Sequence, residues 1–187
     1  MATNLFIMGF VCLTYISFPG YAFRPVLNEN SSGRSQAEFR MKLCEEARKQ
    51  LGVRERTGKN DGQQVELFLA VVGLKKGEPW CAAFISWLFH KMGRTKPKSG
   101  WSPDLFPKSK LTKAMLPGNL IGIYFPDKKR IAHVGMIEKA RGSWIVAIEG
   151  NTNLKGSREG DGVYRKRRHL KSIHQISDWI TEKRQLL

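Results

Sequence analysis

Residues 78–93 read Glu-Pro-Trp-Cys-Ala-Ala-Phe-Ile-Ser-Trp-Leu-Phe-His-Lys-Met-Gly. A proline just ahead of the run, Phe84, Trp87 and Leu88 at helical spacing, and Gly93 behind them predict a helix of about three turns. Cys81 then falls in its first turn. Unpaired backbone N–H groups and the positive end of the macrodipole favour an anion there, which lowers a thiol's pKa and favours the thiolate. A small apolar cysteine buried on a helix is an equally good reading of this stretch alone. The remainder of the chain decides between the two.

Upstream, the first 22 residues carry no charged side chain, and Leu5 to Phe18 is an apolar run too short for a comfortable membrane span. Pro19-Gly20-Tyr21-Ala22 places small residues where a cleavage after Ala22 needs them, so residues 1–22 are expected to be a signal peptide. The segment before the apolar run has no Lys or Arg, which leaves a retained membrane anchor as the alternative. Cys12 lies inside the apolar run behind bulky Val11, a poor lipoprotein site. The expected address is periplasmic, secreted or wall-bound, with no stable membrane insertion after cleavage. Residues 23–35 are polar and aperiodic and are expected to be a flexible lead-in, with a single domain over 36–187.

The 187 residues are 41% hydrophobic, enough for one sizeable core. The expected leader holds none of the charge, so the formal net charge of +16 belongs to residues 23–187. A strongly basic exported protein is drawn to anionic polymers such as wall glycopeptide, teichoic acids, lipid headgroups or nucleic acid. Its cations lack the aromatic interleaving of a single-strand-binding platform, which argues against a nucleic-acid partner. With Cys12 set aside, Cys44 and Cys81 are no disulfide framework. They form either one bond, which would block thiol chemistry, or two free thiols.

Taken in order, Ser35 with Glu38 three residues on has the pattern of a capping box, and Phe39, Leu43, Ala47 and Leu51 make an apolar stripe ending at Gly52. Val65 to Val72 predicts a second short helix. From Gly93 to Pro117 the chain is rich in Pro, Lys and Ser, a functional rim anchored by Trp101, Leu105 and Phe106. Strands are predicted at Leu120–Phe125, Ala132–Glu138, Trp144–Glu149, Val163–Arg168 and Ile173–Ile176, followed by a short helix around Asp178 to Arg184. Helices first and an antiparallel meander second is an α+β arrangement, with amino-terminal helices packed on a sheet of about five strands.

A thiolate nucleophile needs a base, and the base needs a third group to fix its tautomer. His90 shares the cysteine helix but lies about 13 Å along it, out of reach. His169 and His174 sit in basic surroundings near the carboxyl end. His133 opens a strand, Ala-His-Val-Gly-Met-Ile, and is the histidine placed to meet the amino end of the cysteine helix. Glu149 and Asn151 stand two apart on the next strand and are expected to face one imidazole together.

Three blocks in fixed order, Pro-Trp-Cys-Ala-Ala-Phe-Ile-Ser-Trp at 79–87, Ala-His-Val-Gly-Met-Ile at 132–137 and Ile-Glu-Gly-Asn-Thr-Asn at 148–153, resemble the signature blocks of the CHAP family. These are cysteine- and histidine-dependent amidohydrolases and peptidases of bacterial cell walls, with a papain-like fold. The turn at 58–62 and the run at 156–164 resemble parts of a CHAP-like subgroup, and the likeness spans residues 38 to 170. It implies Cys81 as nucleophile, His133 as general base, Glu149 as its orienting carboxylate and Asn151 as a polar helper. Some members hold calcium near the start of the domain; Asn60-Asp61-Gly62 offers a single carboxylate, so no metal and no cofactor are expected.

The resemblance implies a peptidoglycan hydrolase that cuts either the muramoyl–alanine amide or a bond within the peptide or cross-bridge; a monomer is expected. Trp80, Trp101 and Tyr124 are candidates to line its groove, with core packing as the other reading of each. The alternatives are a non-catalytic, basic wall-binding protein that keeps the fold, or an enzyme or toxin of the same superfamily acting on a different amide.

Overall fold

The computed structural model describes residues 29–154 and 160–181, with side chains from residue 33 onward. The expected signal peptide at 1–22 and the first part of the lead-in lie outside these residues. Within them the chain is α+β, with helices α1 (Glu29–Lys49), α2 (Gln63–Val71) and α3 (Cys81–Lys91) preceding the sheet. The strands are β1 (Leu111–Thr112), β2 (Leu120–Phe125), β3 (Arg130–Arg141), β4 (Trp144–Thr152), β5 (Gly162–His169) and β6 (Gln175–Ser177). They form one open antiparallel sheet in the order β1-β6-β2-β3-β4-β5.

Two expectations give way at the ends of the chain. Helix α1 already runs at Glu29, so Ser35 is an interior residue rather than a cap, and the lead-in is helical over 29–35. At the other end, residues 179–181 form bends instead of the start of a helix. Asp178 explains this locally: its carboxylate accepts the backbone N–H groups of Ile180 and Thr181 and the Thr181 hydroxyl, and also binds Arg40 at 2.7 Å. A side chain that captures its own neighbours' N–H groups competes with helix formation. The sixth strand, β1, is two residues long and carries too little pattern to be read from sequence.

Helix α3 is the centre of the core. Phe84, Ile85, Leu88 and Phe89 are fully buried, each side chain contributing roughly 1.5–3 kcal/mol of transfer free energy. They pack with Phe68 of α2, Leu43 of α1 and the sheet residues Leu120, Val134, Met136 and Ile148. Phe68 meets Phe84 and Trp87 edge-on, with centroids 5.1 and 5.0 Å apart. The opposite sheet face carries a smaller cluster of Ile121, Ile137, Ile145, Ala147 and Ile176. Leu105 and Phe106 are buried anchors of the long irregular segment, as its apolar residues suggest, but Trp101 is 49% exposed and does not anchor it in the core.

Candidate active site

Cys81 is the first residue of α3, and Trp80 is the cap position before it. The side chain is buried, 6% exposed, beside the end of the sheet where β3 and β4 part. Their ladder runs from Arg141–Trp144 to Met136–Ile148 and stops short of Val134. The Val134 N–H is therefore not used by β4, and it favours the thiolate form of Cys81. The Ser102 hydroxyl lies 3.4 Å from the same sulfur, brought there by the 3-10 turn Ser102–Leu105.

His133 hydrogen-bonds Glu149, with Nε2 to Oε2 at 2.8 Å, and faces Cys81 closely enough to shift its charge. Because Nε2 is taken by the carboxylate, Nδ1 is the nitrogen left for the thiol. Glu149 is completely buried and has a further partner: the Arg168 guanidinium grips it through Nε to Oε1 at 2.8 Å and Nη2 to Oε2 at 2.6 Å. Gly135 makes this approach possible. A Cβ there would lie 2.6 Å from Glu149 Cγ, and that carbon cannot retreat because both carboxylate oxygens are held. The glycine of Ala-His-Val-Gly is thus required by the carboxylate's path across β3.

The electrostatics follow from these contacts. Burial pushes the Cys81 thiol up, but hydrogen bonds from His133, Ser102 and the Val134 N–H, with the imidazolium charge, outweigh it and hold the thiol below its ordinary value. Burial pushes His133 down, yet its bonds to Cys81 and Glu149 raise it to about 9. Burial would raise Glu149; Arg168 and His133 instead lower it to about 2. The chain Cys81–His133–Glu149–Arg168 therefore alternates in sign and favours thiolate beside imidazolium.

Two open depressions meet at the sulfur. One, of about 440 Å³, is lined by Glu78, Trp101, Ser102, Lys128 and Arg130; the other, of about 650 Å³, by Lys59, Asn60, Lys128, His133 and Asn151. Both include Cys81, Pro79 and Ala132. Cys44 is elsewhere: its thiol donates to the Ile137 carbonyl at 3.7 Å, and neither cysteine is in a disulfide. Burial raises the Cys44 pKa, the opposite of Cys81.

Asn151 does not share Glu149's target. The strand pairing shifts between Glu149 and Thr152, and Asn151 adopts φ 52°, so the alternation that would align the two is broken. Its Oδ1 accepts the Trp80 N–H at 3.3 Å, while its Nδ2 donates to Glu55 Oε1 at 3.2 Å and Asn60 Oδ1 at 2.9 Å. Trp80 is fully buried, with Nε1–H donated to Glu55 at 2.9 Å and its ring 5.7 Å from that of Phe68; it belongs to the core, not to a groove. Gly150 leaves room for it, since a Cβ there would stand 2.7 Å from the indole. Tyr124 stacks on His174 at 4.9 Å and lines neither depression beside the thiol. Trp101 lines the first, with the Arg130 guanidinium 3.7 Å above its ring centroid.

Glu55, Ser102 and Arg168 are the site residues that sequence reasoning does not reach. Glu55 receives Trp80, Asn151 and, at 2.8 Å, the Asn60 N–H, and so ties the loop before α2 to the start of α3. The 58–62 turn keeps Asp61 for itself, its carboxylate accepting the Thr57 N–H at 2.9 Å and facing Arg56 at 3.5 Å. The fold and site define a class: an α+β protein with a buried, hydrogen-bonded Cys–His–Glu chain open to a groove. No family model, curated protein or solved structure matches the chain.

Proposed function

We propose that this chain is a cysteine-dependent hydrolase of the CHAP type, papain-like in fold, that cuts an amide bond of peptidoglycan. The observation that carries the reading is the Cys81–His133–Glu149 chain at the meeting point of two open depressions. The apolar leader and the net charge of +16 are consistent with export toward an anionic wall polymer.

In this mechanism His133 Nδ1 holds the proton of Cys81, and the thiolate attacks the amide carbonyl carbon. The electron pair displaced onto oxygen is stabilised by first-turn N–H groups of α3, which have no partner within the helix. The tetrahedral adduct collapses as His133 gives its proton to the leaving amine, and a thioester remains. His133 then takes a proton from water, whose oxygen attacks the thioester; Cys81 leaves as thiolate and the product is a carboxylic acid. Glu149 holds the ring by Nε2 and stabilises the imidazolium in both halves.

The test is to incubate the purified chain, with mild reductant, with peptidoglycan of several wall types and to identify released fragments by mass spectrometry. Fragments are expected from the parent protein and not from Cys81→Ala, and their ends distinguish the muramoyl–alanine bond from a peptide bond. Absence of release from every wall, together with a Cys81 unreactive toward an alkylating agent, would overturn the reading in favour of a wall-binding protein.

A further inference from the structure

The cations of this chain divide into two kinds. Arg48 and Arg165 both bind Glu138, Arg40 binds Asp178 and Arg168 binds Glu149, so each has a buried or half-buried carboxylate. Around the thiol the pattern reverses. Lys59, Lys128 and Arg130 line the two depressions, and no carboxylate among the described residues pairs with any of them.

Arg130 is also held in place. Its guanidinium carbon lies 3.7 Å from the Trp101 ring centroid, and Nη1 donates to the Ile131 carbonyl at 3.0 Å. A guanidinium has five N–H donors in one plane, so stacking and one hydrogen bond leave an N–H edge unfilled. Arg130 lines the depression that also holds Cys81. A partly buried, pre-oriented fork without an anion matches a planar carboxylate, which it can bind through two parallel hydrogen bonds. Lys128, on the 3-10 turn Pro126–Lys128, borders both depressions and adds a mobile point charge.

We propose that Arg130, stacked on Trp101 and assisted by Lys128, binds a free carboxylate of the peptide whose amide lies at Cys81. The proposal rests on the hydrolase reading for the identity of the peptide, and deepens it: the substrate is a stem peptide with an ionised carboxylate near the scissile bond, and its carboxamide form is discriminated against. Exposed Glu78, on the same wall, repels a second carboxylate and limits the depression to one.

Binding and cleavage are measured separately. Titration calorimetry on the Cys81→Ala protein compares a soluble muramoyl tetrapeptide carrying free carboxylates with its carboxamide counterpart, and the parent protein is assayed for cleavage of both. The carboxylate form is expected to bind about tenfold tighter or more, the difference falling with added salt. Arg130→Gln should abolish the difference and Arg130→Lys restore only part of it. Lys128→Gln, on an exposed turn, should reduce it without loss of folded protein. Equal binding of the two forms, no binding of either, discrimination that survives Arg130→Gln, or equal competition by glycerol phosphate would each overturn the proposal. Discrimination in binding without any cleavage would sink the hydrolase reading and leave the carboxylate site standing; cleavage of both forms at equal rates would do the reverse.

Discussion

Arg168 grips both carboxylate oxygens of Glu149, at 2.8 and 2.6 Å, and one of those oxygens also meets His133 at 2.8 Å. Arg168 stands opposite Ile145 in the register while Glu149 stands opposite Tyr164, so the guanidinium reaches along the sheet to its partner. The residue of β4 between Ile145 and Glu149 on that face is Ala147, small enough to leave the way clear. Arg168 both neutralises a buried carboxylate and divides its charge with His133. It is a positioning residue for the thiol–imidazole pair.

Removing Arg168 leaves Glu149 buried with His133 as its only cationic partner among the described residues. Arg168→Gln is expected to cost on the order of 2–3 kcal/mol, short of a fully buried pair because the arginine side chain is 26% exposed. The freed carboxylate charge then acts on His133 alone, so the His133 pKa rises further and the high-pH limb of the rate profile moves upward. Arg168→Lys should recover part of both effects. Glu149→Gln should lose activity by about a hundredfold or more and lose stability as well, since it orphans Arg168. Adding Arg168→Gln to it should recover stability and not rate. A double-mutant cycle in denaturant, read beside kcat against pH, checks this; a pH profile unmoved in Arg168→Gln would reduce the arginine to a structural role.

The two perturbed groups set opposite limbs of stability against pH. Glu149 is lowered from 4.5 to about 2, so its contribution is present above about 4.5 and is lost as pH falls toward 2. Glu138 and Asp178 are lowered too, and add to the same acid limb. His133 is raised from 6.5 to about 9, so its contribution is full below 6.5 and is lost as pH rises through 9. Cys81, lowered, acts in the opposite sense and softens that alkaline loss. Thermal midpoints should therefore be highest between about pH 4.5 and 6.5, and His133→Gln should flatten the alkaline decline. A decline unchanged in that variant would assign it to other groups.

Much of this architecture is legible in the sequence because it is written in local patterns. The cysteine helix, the bounds of β2 and the strand carrying His133 follow from spacing and from Pro, Gly and β-branched residues. Cys81, His133 and Glu149 stand in short blocks whose residue types demand an explanation. Arg168 is invisible for the converse reason: it lies in the basic run Arg165 to Lys171, and only the register shows that one of those cations turns to Glu149. Trp80 and Asn151 escape a reading by proximity, because each turns away from the target of its neighbour in sequence. A shifted ladder and one left-handed residue separate Glu149 from Asn151, and neither leaves a mark in the pattern of apolar residues.

Ser102 acts on the thiol from the irregular segment. Its hydroxyl is 3.4 Å from Cys81 Sγ and the residue is 4% exposed, so water does not readily replace it. Donating to sulfur favours the thiolate, and Ser102→Ala should raise the Cys81 pKa. That rise should slow alkylation by iodoacetamide near neutral pH, by up to about tenfold. The rate measured against pH separates this from a loss of access: the midpoint moves while the plateau at high pH stays. An unchanged midpoint with a lowered plateau would mean that Ser102 shapes the entrance and leaves the charge alone.

Asn151 works on the helix rather than on the histidine. Its Oδ1 caps the Trp80 N–H one residue before Cys81, and its Nδ2 satisfies Glu55, which in turn holds the Trp80 indole. Asn151→Ala removes these bonds and places alanine at φ 52°, for a combined cost of about 2–4 kcal/mol. Asn151→Gly relieves the backbone but not the lost hydrogen bonds, so it should fall between alanine and the parent in thermal midpoint. Asn151→Asp should be the worst of the three, because it sets a carboxylate against Glu55 in place of a donor. All three should lower kcat by letting the start of α3 shift, while the pH limb assigned to His133 stays where it was. Movement of that limb in Asn151→Gly would instead couple Asn151 to the imidazole and restore the pairing with Glu149 that the strand spacing suggests.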